Sequence, residues 1–223
     1  MSTASAARLL PDRALQQGRV VAILRGTSGQ HLRATAQTLL KTGVGCLEVT
    51  MNTPGALETV RGLRGDLSPE EACLGVGTVR TVEQVDQAAA AGASFIVSPG
   101  TKASVGRRAA ELGLRWYPGA ATATEVETAW ELGATAVKIF PAGNLGGPGF
   151  LRALRGPLDD VPMIPTGGVG VDDVEPYLSA GALALGMGSP LIGTALEDGD
   201  LVALAGRARK VVASVTAWVE GSR

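Results

Sequence analysis

The stretch Ala123-Thr124-Glu125-Val126-Glu127-Thr128-Ala129-Trp130-Glu131-Leu132-Gly133-Ala134-Thr135-Ala136-Val137-Lys138-Ile139-Phe140-Pro141 holds one complete structural unit and the most unusual residue of the chain. Residues 123–132 carry helical spacing, and Thr122 followed three residues later by Glu125 marks the start of a helix. Leu132-Gly133-Ala134 ends it, because glycine supplies the left-handed cap that turns a chain out of a helix. Residues 134–139 then read as a short buried strand. Within it sits Lys138, one of four lysines among 223 residues. An amine in such apolar company is poorly solvated and loses proton affinity, and a neutral lysine can attack a ketone to form a Schiff base. The plain alternative is a strand-end lysine whose stem packs inward while its head reaches water.

The same unit recurs on both sides. Apolar, β-branched runs predict strands over 20–25, 45–49, 72–76, 94–97, 114–117, 134–139, 162–165 and 182–187. Between and after them, helical spacing predicts helices over 29–41, 54–64, 82–91, 103–112, 123–132, 149–154, 171–179 and 201–219. Glycine closes several of these at Gly43, Gly92, Gly113 and Gly181, and Thr81 with Gln84 marks another helix start. Eight βα units in this length fit an α/β fold, a single-domain TIM (β/α)8 barrel over 1–223, with 1–19 an N-terminal extension or helix. A doubly wound open sheet with the same strand count fits the pattern too, and the barrel is favoured. The final helix places Val202, Ala205, Ala208, Val212, Val215 and Val219 in a stripe most of which is expected to cover the barrel.

Composition narrows the function. Twenty basic and 21 acidic side chains nearly cancel, and no basic run could follow a phosphate backbone or an anionic bilayer, so neither nucleic acid nor membrane is an expected partner. No segment has the length or the uninterrupted apolar core of a bilayer span or secretory signal, and a cytoplasmic location is the default expectation. Cys46 and Cys73 lie in apolar runs without metal-ligand spacing and read as reduced core residues. With His31 the only histidine, no metal site and no serine-histidine triad is expected.

In a parallel barrel, reactive groups gather where strands end. Those ends carry Arg25-Gly26, Glu48-Val49-Thr50, Gly77-Thr78, Ser98-Pro99-Gly100, Pro118-Gly119, Lys138, Thr166-Gly167-Gly168 and Gly186-Met187-Gly188-Ser189. Glu48, inward in Cys46-Leu47-Glu48-Val49, is costly to bury without a partner or a use, and it can face Lys138 across the barrel mouth and shuttle protons for imine chemistry. A buried ion pair without catalytic role is the alternative for the two. Arg25 and Thr78 can bind a carboxylate, the arginine by a forked contact, although Arg25 also reads as an exposed strand-end charge. The glycine-bearing ends of the seventh and eighth units suit a phosphate, although glycines also serve tight turns.

These residues carry a resemblance. Ala22-Ile23-Leu24-Arg25-Gly26, Leu47-Glu48-Val49-Thr50, Gly75-Val76-Gly77-Thr78-Val79, Ile96-Val97-Ser98-Pro99-Gly100, Pro118-Gly119-Ala120, Val137-Lys138-Ile139-Phe140-Pro141-Ala142, Pro165-Thr166-Gly167-Gly168-Val169 and Gly186-Met187-Gly188-Ser189 run in the order of the class I aldolases that cleave 2-keto-3-deoxy-6-phosphogluconate or its galactonate epimer. The chain resembles that family along nearly its whole length. The resemblance implies a homotrimeric barrel that needs no cofactor, with Lys138 forming the Schiff base and Glu48 moving protons. It implies further that Thr78 holds the pyruvate carboxylate, that Phe140 and Pro118 line the pocket, and that Gly167, Gly168, Gly188 and Ser189 hold the phosphate.

The branch markers conflict. Gluconate-type relatives often carry arginine four residues after the catalytic glutamate, where this chain has Asn52. That asparagine and the run Pro118-Gly119-Ala120-Ala121-Thr122-Ala123-Thr124 resemble the galactonate branch, whereas Thr166 is similar to the gluconate branch. Arg25 is the candidate to supply the charge that Asn52 lacks. A sugar-phosphate epimerase or isomerase would use the same phosphate loops without an imine-forming lysine, and 4-hydroxy-2-oxoglutarate is an alternative aldolase substrate. A barrel without activity, kept as an assembly module, is disfavoured by the joint presence of Glu48, Thr78 and Lys138.

Overall fold

Strand and helix alternate through the chain because most apolar runs are preceded by a glycine turn and followed by a helix start. The computed structural model describes residues 8–67 and 72–222; the first seven residues of the expected 1–19 extension lie outside the described residues. A short helix α1 (Arg13–Gly18) precedes β1 (Val20–Leu24), α2 (Leu32–Lys41), β2 (Cys46–Thr50), α3 (Ala56–Asp66), β3 (Cys73–Gly77), α4 (Val82–Ala90), β4 (Phe95–Val97) and α5 (Ala103–Glu111). There follow β5 (Arg115–Tyr117), β6 (Gly119–Ala120), α6 (Ala123–Glu131), β7 (Val137–Ile139), α7 (Gly147–Arg155), β8 (Met163–Pro165), α8 (Val174–Ser179), β9 (Leu185–Met187), α9 (Ser189–Ile192) and α10 (Leu201–Gly221).

All strand pairs are parallel, in two runs ordered β5-β4-β3-β2-β1-β9 and β6-β7-β8. The sheet curls. Thr166 bridges Gly186 in parallel, and Leu183 donates its N–H to the Met163 carbonyl at 2.9 Å, joining the end of the second run to β9. On the other side, the predicted strand over 114–117 stops at Tyr117 and resumes as β6. Pro118 has no N–H to give the ladder, so it breaks the strand, while its carbonyl still accepts the Lys138 N–H at 2.9 Å.

Burial explains why the strands look uniformly apolar. β1, β2 and β3 are buried at every position, the mark of strands covered on both faces. Alternate residues nevertheless go to different places. Val21, Ile23, Cys46, Cys73, Phe95, Val97, Tyr117, Ala136, Ile164 and Ala184 form one cluster inside the curl, joined by Leu15 of α1. Ala22, Leu24, Leu47, Val49, Leu74, Val76, Ile96, Val137, Met163 and Leu185 pack outward against the helices. With a side-chain period of two, Glu48 shares the face of Cys46, and Lys138 that of Ala136.

The predicted helix starts hold. Thr81 accepts the Gln84 N–H at 3.3 Å, and Thr122 with Glu125 forms a full capping box. Gly43, Gly92, Gly113, Gly133 and Gly181 all adopt positive φ, between 67° and 96°, as their capping role requires. One expectation needs correction. The helix expected over 171–179 begins only at Val174, because the Asp173 carboxylate turns back to accept the Gly170 N–H at 2.7 Å and holds a turn there. In the stripe expected on the last helix, Ala208 and Val215 are buried and Val212 and Val219 pack half-buried against the core, beside Leu204 and Val211, but Val202 is 85% exposed. The separate short helix α9 directly after Gly188 is an element that periodicity did not reveal, since four residues carry no period.

Among the described residues, no helix is long and apolar enough to cross a membrane.

Candidate active site

Glu48 and Lys138 line one cavity with Val21, Val97, Tyr117, Ile164, Thr166 and Gly186. Its free volume as it stands is about 10 Å³, the room of a single water. Glu48 is 2% exposed and Lys138 6%. The strand register explains the placement: Lys138 pairs with Gly119 on one side and Ile164 on the other, and Glu48 with Ile23 and Gly75. Two ionisable side chains are therefore delivered to the interior from opposite arms of the curl.

The buried-ion-pair reading does not hold for them. Neither residue belongs to any ion pair formed among the described residues. Glu48 Oε1 is buried without a hydrogen-bond partner, an arrangement that costs stability and points to use. The Lys138 Nζ lies over the Phe140 ring, 5.3 Å from its centre. Phe140 itself is 39% exposed.

Arg25 and Thr78 are brought together at the ends of β1 and β3. One Arg25 Nη donates to Thr78 Oγ1 at 3.2 Å, and Arg25 is exposed to solvent. Thr78 takes φ of 60°, left-handed backbone that a β-branched residue adopts only under constraint. The structure thus joins the two residues that the sequence assigned to a carboxylate.

Thr166 is buried, and its hydroxyl donates to the Ile164 carbonyl at 3.2 Å. Gly167 and Gly168 follow with φ of 84° and 72°. The Thr166–Gly186 bridge sets this loop beside Gly188 and Ser189, so all four residues assigned to phosphate share one end of adjacent strands. Pro118 is buried in the strand break beside Lys138. Among the described residues, no group of three or more His, Cys, Asp or Glu side chains could hold a metal ion.

Sequence reading missed several contributors. Gly77 and Gly186 leave room for the Glu48 carboxylate and the Thr166 side chain, whose atoms occupy the place of a Cβ at either position. Gly77 looked like ordinary strand-end punctuation and Gly186 like part of the glycine-bearing phosphate end; close approach between strands has no one-chain signature. Tyr117 lines the cavity and burial pushes its phenol well above the ordinary range, helped by the neighbouring thiol of Cys46 and the Asp12 carboxyl. Its hydroxyl finds no partner among the described residues. Ser98, a strand-end candidate, is committed instead to accepting the Trp116 indole N–H at 3.1 Å.

Residues 12–205 match the family described as KDPG and KHG aldolase. The chain is 39% identical over 166 residues to a 2-dehydro-3-deoxy-phosphogluconate aldolase of Treponema pallidum, covering 74% of this chain and 78% of that one. It is 36% identical over 173 residues to the 2-dehydro-3-deoxy-6-phosphogalactonate aldolase of Escherichia coli, covering 77% and 83%. The fold is similar to that of a KDPG aldolase from Legionella pneumophila solved with pyruvate captured as a covalent carbinolamine, with a TM-score of 0.80 at 26% identity over 91% of this chain and 98% of that one.

Proposed function

The chain belongs to the KDPG and KHG aldolase family and is an aldehyde-lyase, and from that premise we propose how its own residues cleave a phosphorylated 2-keto-3-deoxy acid to pyruvate and glyceraldehyde 3-phosphate. Lys138, when unprotonated, attacks C2 of the keto acid. Glu48 protonates the departing hydroxyl of the carbinolamine, so that water leaves and an imine forms. The imine nitrogen draws electrons from the neighbouring carbons. Glu48, directly or through one water, then takes the C4 hydroxyl proton as the C3–C4 bond breaks, and the bonding pair passes into an enamine of pyruvate. Glyceraldehyde 3-phosphate departs. Protonation at C3 and hydrolysis of the imine release pyruvate and restore the amine.

The observation that carries this reading is a buried, unpartnered carboxylate and a buried amine on one cavity. Arg25 and Thr78 would take the substrate carboxylate, Thr166, Phe140 and Pro118 would line the pocket, and Gly167, Gly168, Gly188 and Ser189 would hold the phosphate through backbone N–H groups. The bridge between Thr166 and Gly186 and the strand order support reading the two runs as arcs of one closed (β/α)8 barrel domain. A cytoplasmic homotrimer is the setting that the family resemblance implies, and sedimentation velocity tests its size.

Incubation with pyruvate and borohydride, followed by peptide mass mapping, is the test. A reduced pyruvyl group on Lys138 is expected; labelling of another lysine, or none, overturns the assignment. Comparing kcat/KM for the two C4 epimers, with and without the phosphate, assigns the branch.

A further inference from the structure

Arg25 is exposed and long, yet its usefulness as a carboxylate ligand depends on where its backbone is fixed. The two peptide groups flanking it are held by the same side chain. The Thr53 hydroxyl accepts the Gly26 N–H at 3.2 Å and lies 3.4 Å from the Leu24 carbonyl oxygen. Thr50 Oγ1 stands 2.9 Å from Thr53 Oγ1 and 3.4 Å from that same carbonyl. Thr50 is 0% exposed and Thr53 2%.

The bonding can be counted. β1 and β2 pair in register as far as Leu24 and Val49, a pairing in which the Leu24 carbonyl accepts the Thr50 N–H, while the Met51 N–H serves the Gly77 carbonyl on β3 at 2.8 Å. With one lone pair taken in the ladder, the Leu24 carbonyl has its second for a hydroxyl. Each hydroxyl has one proton. One of them donates to its neighbour, the neighbour donates to Leu24 O, and Thr53 keeps a lone pair for Gly26 N–H; every buried group in the cluster is then satisfied. Thr53 is itself anchored by its N–H to the Thr50 carbonyl at 2.8 Å. A rigid turn at the end of β2 therefore grips both sides of Arg25 at the end of β1.

We propose that Thr53, backed by Thr50, is a positioning residue that fixes Arg25 for the substrate carboxylate by holding the Leu24 carbonyl and the Gly26 N–H together. It does not touch substrate. The proposal rests on the reading of Arg25 and Thr78 as the carboxylate pair. Arg25 reaches across to Thr78 Oγ1, so loosening the Arg25 backbone also loosens the contact with the strained Thr78.

Thr53→Val keeps the shape and removes the hydroxyl, Thr53→Ser keeps the hydroxyl, and each is made in the wild-type and the Arg25→Ala backgrounds. The readout is the pyruvate concentration that half-saturates borohydride trapping at Lys138, alongside kcat and KM for cleavage. Thr53→Val is expected to raise the half-saturating concentration about tenfold, the size of one lost buried hydrogen bond, with kcat nearly unchanged. Thr53→Ser restores the wild-type value. In the Arg25→Ala background, Thr53→Val adds nothing further, because its effect passes through the arginine. Thr50→Val, a second probe of the same cluster, shifts saturation in the same direction.

An equal and additive loss in both backgrounds, or a lowered melting temperature with saturation unchanged, overturns the proposal and leaves a purely structural role for Thr53. If no adduct forms on Lys138 in the wild-type protein, the aldolase mechanism fails first, and the positioning role falls with it.

Discussion

Gly77 of β3 lies against the carboxylate of Glu48 on β2, so close that a Cβ on residue 77 would occupy the place of Oε1. The glycine is needed for space: its strand backbone is ordinary, but its neighbour's functional group fills the volume a side chain would take. Gly77→Ala must therefore push Glu48 off its position or spread β2 from β3. A displacement of about 1 Å in a proton-transfer group costs on the order of 100-fold in rate. Steady-state assays should show kcat reduced by that order while far-UV circular dichroism is preserved. An alanine variant of wild-type turnover would mean that Glu48 can move without consequence.

Arg25 is exposed, so its removal leaves the fold within about 0.5 kcal/mol of wild type. Its loss should be felt in binding. A charge-assisted hydrogen bond contributes about 1.5–3 kcal/mol, so Arg25→Ala is expected to raise KM roughly 10- to 100-fold with little change in kcat. Arg25→Lys recovers only part of this, because an ammonium cannot make the forked contact. An unchanged KM in the alanine variant counts against the assignment.

Thr78 carries left-handed backbone at φ 60°, strain of about 1–3 kcal/mol for a non-glycine residue. Thr78→Gly releases it but deletes the hydroxyl that meets Arg25. Urea unfolding should show a variant as stable as wild type or more so, while its KM for the keto acid rises. Lower stability together with unchanged KM would show that the threonine serves only the fold.

How much of this was legible beforehand depends on where each signal lives. The βα repeat was readable from local chemistry: Thr122 with Glu125 and the glycines at 43, 92, 113, 133 and 181 do in space what their residue types dictate. Lys138 and Glu48 stood out because a charged residue in an apolar strand has few inexpensive explanations. Gly77 could not be read, since its reason is a carboxylate on another strand. The hydroxyls of Thr50 and Thr53 look like ordinary strand-end residues until Leu24 and Gly26 are placed beside them. The stripe of α10 was mostly readable, with Ala208, Val212, Val215 and Val219 packing toward the core, while Val202 in its first turn faces out.

The N-terminal segment offers a prediction on pH. Asp12 pairs with Arg115 at 3.0 Å, while its Oδ2 is buried with no partner among the described residues. Burial is the largest influence on the group and raises its carboxyl above the usual 3.8, outweighing the opposing pull of Arg115 and Arg64. The sign follows. An acid whose pKa is raised by folding holds its proton more tightly in the native state, so its contribution to stability is complete below the unfolded value and lost as pH rises through the folded one. Asp12→Asn removes that titration while keeping a carbonyl for Arg115. Relative to the asparagine variant, the wild-type protein should therefore become progressively less stable as pH climbs from below 3.8 through the raised pKa, and level beyond it. Urea unfolding of both proteins across that range measures the difference directly. A difference that stays constant with pH would mean that the pairing with Arg115 cancels the burial of the carboxylate, and one that moves in favour of the wild type would mean that it outweighs it.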